Sequence, residues 1–176
     1  MFEELSLHIL DIAMNSLTAG ARVVQITVME DSRRDRLLIR IRDDGRGMDA
    51  PTLDRVLSRS ATTKASRKKP IGLGLALLRQ TSEMCGGQFH VHSRPGLGTS
   101  VTATMRRSHV DCPPLGDLNS TILSLCAANP DVDVQLTCVS DGERFQFRSH
   151  ELKETSHEPR RTQETQRQSA AAGCSA

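Results

Sequence analysis

Three pairs of short β-branched runs, each closed by turn residues, constrain this chain more than any other feature. Arg22–Met29 (RVVQITVM) and Leu37–Arg42 (LLIRIR) flank a polar turn and predict one hairpin. Gln88–Ser93 and Ser100–Arg106 flank RPGLGT, a turn rich in glycine and proline. Val132–Val139 and Glu143–Arg148 flank Asp141-Gly142, a strong signal for a tight hairpin. Helical periodicity fills the gaps. In Glu3–Ala19, Leu5, Ile9, Ile12 and Ser16 share one face, and Gly20 follows as a C-terminal cap. Pro51–Leu57 opens with a proline suited to a first helical turn, and Gly72–Met84 and Leu115–Ala128 also carry helical patterns. Arg59–Pro70 is polar, basic and aperiodic, which predicts a mobile loop. From Lys153 onward the chain cannot bury enough apolar surface to offset the cost of ordering, which predicts a disordered tail.

Composition limits the function classes. A length of 176 residues holds one ordinary domain with a small appendage, and the 25% charged share is that of a soluble globular protein. No apolar run is long enough to cross a bilayer, and the acidic start MFEELSLHIL does not resemble a signal peptide, so the expected location is the cytoplasm. A net charge of +2 gives no electrostatic case for nucleic acid or a membrane surface, and the absence of Trp and Tyr argues against a single-strand binder. Cys85, Cys112, Cys126, Cys138 and Cys174 are odd in number, scattered and free of any C-x-x-C spacing. They read as buried thiols rather than a zinc site or a disulfide framework.

Four segments carry candidate chemistry. Asp11 and Asn15 lie four residues apart on the first helix and so project from one face; their oxygens suit Mg²⁺, although for the pair alone an exposed polar face is much the better explanation. Asp43-Asp44-Gly45-Arg46-Gly47-Met48 ends an apolar strand with glycines that permit close ligand approach. A carboxylate there could accept from an exocyclic amine such as adenine's, and a plain acidic turn is the competing reading. Ile71-Gly72-Leu73-Gly74-Leu75 places bare amides at a helix start, a ready anion site, preceded by the hydroxyls and cation of Ser60-Ala61-Thr62-Thr63-Lys64. It matches neither the P-loop nor the dinucleotide fingerprint. Gly96-Leu97-Gly98-Thr99 is explained by a hairpin turn alone.

Their order and spacing resemble the GHKL superfamily of histidine-kinase ATPase domains, gyrase B, MutL and heat-shock chaperone ATPases. LDIAMNSLTAGA resembles the N box, DDGRGM the first glycine box, SATTKAS with IGLGLALLRQ the lid and second glycine box, and GGQFHVHSRPGLGTSVTATM the closing hairpin. The likeness runs from about Leu5 to Met105. It implies an α/β (α+β) fold: a two-layer α/β sandwich in which a mixed, mostly antiparallel sheet carries helices on one face. With the change of pattern after Arg107 and the polar stretch from Lys153, the expected division is an ATP-binding domain at 1–108, an accessory α-β-β segment at 109–152 and a disordered tail at 153–176.

By resemblance, Asn15 would coordinate Mg²⁺, Asp43 would bind the adenine amino group, and Thr99 would assist through water. Gly45, Gly47 and Met48 would shape the adenine pocket, while Gly72, Leu73, Gly74 and Leu75 would line the triphosphate. Thr63 and Lys64 would belong to the lid, with Lys64 near the γ-phosphate, and Asp11 sits where hydrolysing members carry a glutamate general base. Asp44 replaces the commoner Asn, and Thr18 replaces the charged residue often found three positions after the Asn. The implied cofactors are ATP and Mg²⁺. The implied partners are ATP and a protein, with a homodimer allowed and no nucleic acid or membrane. Seven residues precede His8, so a phosphoacceptor hairpin is expected to be missing, and His8 is expected to be structural. The expected activity is that of a regulatory kinase acting on a partner protein, with a slow ATPase or a non-catalytic ATP-gated binding module as the alternative.

Overall fold

The computed structural model describes residues 4–58 and 73–151, with Leu73 described by its backbone only. The tail and the Arg59–Pro70 segment therefore lie outside the described residues. Helix α1 (Leu5–Thr18) is followed by β1 (Val23–Asp31), β2 (Arg36–Asp43) and α2 (Ala50–Ser58). After the undescribed stretch come α3 (Leu73–Met84), β3 (Phe89–Arg94), β4 (Gly98–Arg106), α4 (Leu118–Ala128), β5 (Asp133–Ser140) and β6 (Glu143–Arg148).

The expected cap of α1 forms. Gly20 adopts φ +78, its N–H donates to Leu17 at 2.9 Å, and the Ala21 N–H reaches Ser16 at 3.1 Å, a Schellman stop. At α4 the carboxylate of Asp117 accepts from the Ser120 N–H at 2.9 Å and so caps the helix.

All six strands form one sheet in the order β3-β4-β2-β1-β5-β6. Only β1 and β5 are parallel; every other described neighbour pair is antiparallel, as expected for a mixed, mostly antiparallel sheet. The three hairpins form as their local turns dictate. The accessory segment continues the same sheet: β5 pairs with the edge of β1 from Val23↔Asp133 to Glu30↔Ser140. Burial alternates along each central strand, with Leu37, Ile39, Ile41 and Asp43 of β2 turned inward and Arg40 and Arg42 outward.

The inward residues meet the apolar faces of the helices in one core. Leu5, Ile9, Ile12 and Ala13 of α1, Leu75 and Leu78 of α3, and Ile122 and Leu125 of α4 pack over Ile26, Ile39, Val101 and Leu136. His8 is buried with the core side of α1. Among the described residues, no helix is long and apolar enough to cross a membrane.

Candidate functional site

The C-terminal half of α1, the loop after β2, helix α2 and the β3–β4 hairpin enclose a cavity of about 500 Å³. Asn15 and Ser16 enter it from α1, Asp43, Gly47 and Met48 from the β2 end, Val56 from α2, Leu75 from α3, and Thr99 and Val101 from β4. Asp43 is the buried acidic group of this space, 8% exposed. Three donors hold its carboxylate: Ser16 Oγ donates to Oδ2 at 2.7 Å, while the N–H groups of Gly45 and Thr99 donate to Oδ1 at 3.0 and 3.2 Å. Such bonds supply the solvation that a buried charge has lost to burial.

Backbone contacts fix the loop around that carboxylate. Gly47 has φ +65, and a Cβ there would stand 1.9 Å from the Arg94 carbonyl oxygen. Gly98 has φ +84, and its Cβ would stand 1.9 Å from the carbonyl oxygen of Asp43. Only glycine allows the β2 loop and the β3–β4 turn to approach this closely. The Arg46 carbonyl accepts from the Gly96 N–H at 2.7 Å, and the Arg46 N–H donates to Ala19 at 3.0 Å. Asp44, the departure from the commoner Asn, braces the turn before β1: its Oδ1 accepts from the Arg22 and Val23 N–H groups at 2.8 and 2.9 Å.

The structure thus brings Asn15, Asp43, Gly47, Met48, Leu75 and Thr99 together around one cavity. Gly45 stands behind Asp43, with room for a Cβ limited by Ala19 at 3.0 Å. Asp11 is exposed and does not line the cavity; it abuts the start of α3, where a Cβ on Gly74 would meet Asp11 Cβ at 2.7 Å. Leu73 begins α3, two positions before the cavity residue Leu75. Thr63, Lys64 and Gly72 lie outside the described residues.

Sequence reasoning missed several members. Ser16 counted as part of the apolar stripe, yet it is the closest donor to Asp43. Ser93 joins the two glycine turns: it accepts from the Met48 N–H at 2.8 Å and lies 2.9 Å from Thr99 Oγ1. Asp49 and Thr52 line the mouth, and hydrogen bonds from the Thr52 side chain and backbone hold the Asp49 carboxyl below its ordinary value. No local signal pointed to Ser93. The alternation of β3, which turns Ser93 to the helix side, was the available clue.

The mixed sheet with its one helix-covered face and buried acidic cavity defines an α+β sandwich built to enclose a small ligand. The chain belongs to the family of histidine kinase-, DNA gyrase B- and HSP90-like ATPases, whose model matches residues 1–109, and it is an ATP-binding ATPase or kinase domain of that family. It is 33% identical over 101 residues to the sensor histidine kinase ZraS of Salmonella typhi, a match covering 57% of this chain and 21% of that protein. It is 30% identical over 97 residues to sporulation kinase D of Bacillus subtilis, covering 55% and 19% respectively. The chain therefore spans about a fifth of these relatives. The N-terminal domain of a DNA repair protein shares the fold, with a TM-score of 0.56 at 14% identity, over 81% of this chain and 51% of that one.

Proposed function

We propose that this chain binds Mg²⁺-ATP in the cavity between α1, α2 and the glycine turns and transfers the γ-phosphate to a partner protein. The observation that carries this reading is the buried Asp43 carboxylate. An ionised carboxylate offers about four acceptor directions, and Ser16, Gly45 and Thr99 use three of them. The remaining direction suits an exocyclic amine, and the apolar walls of Met48, Val56 and Leu75 suit a purine ring. Guanine presents a carbonyl oxygen where adenine presents its amine, so Asp43 would repel it.

Asn15 stands one helical turn beyond Asp11 and lines the same cavity. Among the described residues no cluster of three or more His, Cys, Asp or Glu could hold a metal by itself. Mg²⁺ needs no such cluster: it keeps water and shares phosphate oxygens, so the Asn15 amide oxygen fits as its protein ligand. The bound ion would neutralise phosphate charge. The amides of Gly72, Leu73 and Gly74 at the start of α3 would meet the phosphates. Lys64 and Thr63 would close over them from the lid, and Asp11 at the α1–α3 junction would serve as base. Transfer to a protein rather than to water is favoured by the names of the relatives, which are sensor histidine kinases and a sporulation kinase.

Titration calorimetry with ATP and GTP tests the pocket. ATP should bind, GTP should bind at least about tenfold more weakly, and Asp43→Asn should weaken ATP by about 10- to 100-fold, the range expected for a hydrogen bond to a charged acceptor. Equal affinities for both nucleotides, or an unaffected Asp43→Asn, would sink the reading. For transfer, γ-labelled ATP with Mg²⁺ and cell lysate should label a second protein, and Asp11→Asn should abolish label while ATP still binds. ATP-dependent capture of a partner without label would favour the gated module instead.

A further inference from the structure

Strand side chains alternate, so the sheet has a second face, turned away from the helices. The strand register writes two complete rows across it. In one, His90, Thr102, Arg40, Thr27, Thr137 and Gln146 stand side by side; in the next, His92, Ser100, Arg42, Gln25, Gln135 and Arg148 do. Apart from the arginines and the two histidines, every member carries a hydroxyl or an amide, and neither row holds a carboxylate. Carboxylates at the rims are already engaged: Asp133 by Gln135 at 2.6 Å, Asp31 by Arg34 at 3.3 Å, and Asp44 by the backbone of Arg22 and Val23. With a net charge of only +2 on the whole chain, this cationic face reflects segregation of charge rather than a basic composition. Polar sheet faces commonly set opposite charges in neighbouring positions; these two rows do not, and Asp31 opposite Arg36 stands at the rim beyond them.

Two further features mark the face as more than a solvated surface. Its β3–β4–β2 end is concave, a groove of about 710 Å³ whose lining includes Arg40, Arg42, His90, His92 and Arg94 and which ends against Asp43, whose carboxylate is taken up by Ser16, Gly45 and Thr99. Beside the cationic rows, Leu38, Met29 and Val139 form an apolar stripe in register, with Met29 43% exposed.

We propose that the outer sheet face docks an acidic protein segment, with its carboxylates over Arg40, Arg42 and Arg94 and an apolar side chain on the Leu38–Met29–Val139 stripe. Positive potential focused in a groove favours an anionic partner, and a stripe beside it supplies the desolvated contact that protein partners use. Nucleic acid is disfavoured because, among the described residues, this face offers bases only the small imidazoles of His90 and His92 to stack on; Phe89 and Phe147 pack into the core on the other side. The groove meets the cavity at Asp43 and Thr99, which line both, whereas Arg40, Arg42 and Arg94 line the groove alone.

The test uses the full chain and a fluorescein-labelled peptide of alternating glutamate and leucine, read by anisotropy. The peptide should bind, binding should weaken with added salt, and R40Q/R42Q should reduce affinity about tenfold or more while ATP affinity and far-UV circular dichroism stay unchanged. Met29→Ser should weaken the peptide without altering the salt slope, and R94Q offers a second, single-site check of the groove should the double variant be poorly folded. A lysine-leucine peptide should not bind. The proposal is overturned if the acidic peptide binds no better than the basic one, or if R40Q/R42Q and R94Q bind it like the parent. It is also overturned if a single-stranded oligonucleotide displaces the peptide, or if sedimentation shows a self-dimer that the arginine variants dissociate.

Discussion

Ser16 shows how a single side chain can serve both the core and the site. It is 3% exposed on the inner face of α1, and its hydroxyl lies 2.7 Å from Asp43 Oδ2. Ser16→Ala would leave one oxygen of a buried carboxylate without its donor, a loss of about 1.5–3 kcal/mol for a bond to a charged group. Denaturant unfolding should therefore show a lower midpoint with an unchanged slope, and calorimetry should show weaker ATP binding; a variant matching the parent in both would remove Ser16 from the site. Cys85 makes a different residue-level case. Burial, with the Cys112 thiol beside it, pushes its thiol up to about 11, so almost no thiolate exists at neutral pH. Iodoacetamide at pH 7.5 should leave Cys85 unmodified in the native chain and alkylate it in denaturant, as read by mass spectrometry. Rapid native alkylation would contradict its enclosure.

At the scale of elements, the contact between α1 and α3 sets the geometry of the site. Gly74 allows α3 to begin against Asp11, since a Cβ there would come within 2.7 Å of Asp11 Cβ. Alanine is the better helix former by about 1 kcal/mol, but overpacking costs about 1–3 kcal/mol, and the obstructing atom is itself a Cβ that no rotamer can move. Gly74→Ala should thus be destabilising, by about 1 kcal/mol, and should separate the start of α3 from Asn15. Thermal unfolding with and without ATP would reveal both effects; a stabilised variant would mean that propensity outweighs the clash. The same scale explains what was legible in the sequence. Hairpins and helices are short-range, so 3.6- and 2-residue periods with Gly20 and Asp141-Gly142 as punctuation located them closely. The order of the hairpins in the sheet, and the parallel β1–β5 pair that joins residues about a hundred positions apart, leave no local trace. The cavity was half legible for the same reason. Asn15, Asp43 and Thr99 stood in recognisable boxes, whereas Ser93 acts through a bond to Met48, 45 positions away, that no spacing rule encodes.

Across the whole molecule, carboxylates in exposed turns add links between strand ends that the sheet already pairs. Asp35, at φ +49 in the β1–β2 turn, accepts from the Ser108 hydroxyl at 2.7 Å and its N–H at 2.8 Å, tying that hairpin to the chain leaving β4. Asp141, at φ +47 in the β5–β6 turn, accepts from the Ser32 N–H and hydroxyl, both at 2.8 Å, and so joins the first hairpin to the last. Asp is among the few residues that tolerate left-handed backbone, and its side chain here also provides the link. Hydrogen bonds from Ser108 to Asp35 and from Ser32 to Asp141 lower both acids below 3.8, as do the Ser120 bonds to the α4 cap Asp117 and the Thr52 bonds to Asp49. A folded-state value below the unfolded one means that the unfolded chain binds protons first as pH falls. The stability from these four groups is therefore complete above the unfolded value of 3.8 and is lost as pH drops through the lower folded values. Thermal midpoints should hold level from pH 7 to about 5 with respect to these acids, then fall steeply below 4. The paired replacement Asp35→Asn with Asp141→Asn should lower the midpoint at pH 7 and flatten that acid limb, because two of the titrating links are already gone. An acid limb as steep in the double variant as in the parent would place the acid sensitivity elsewhere than in these two links.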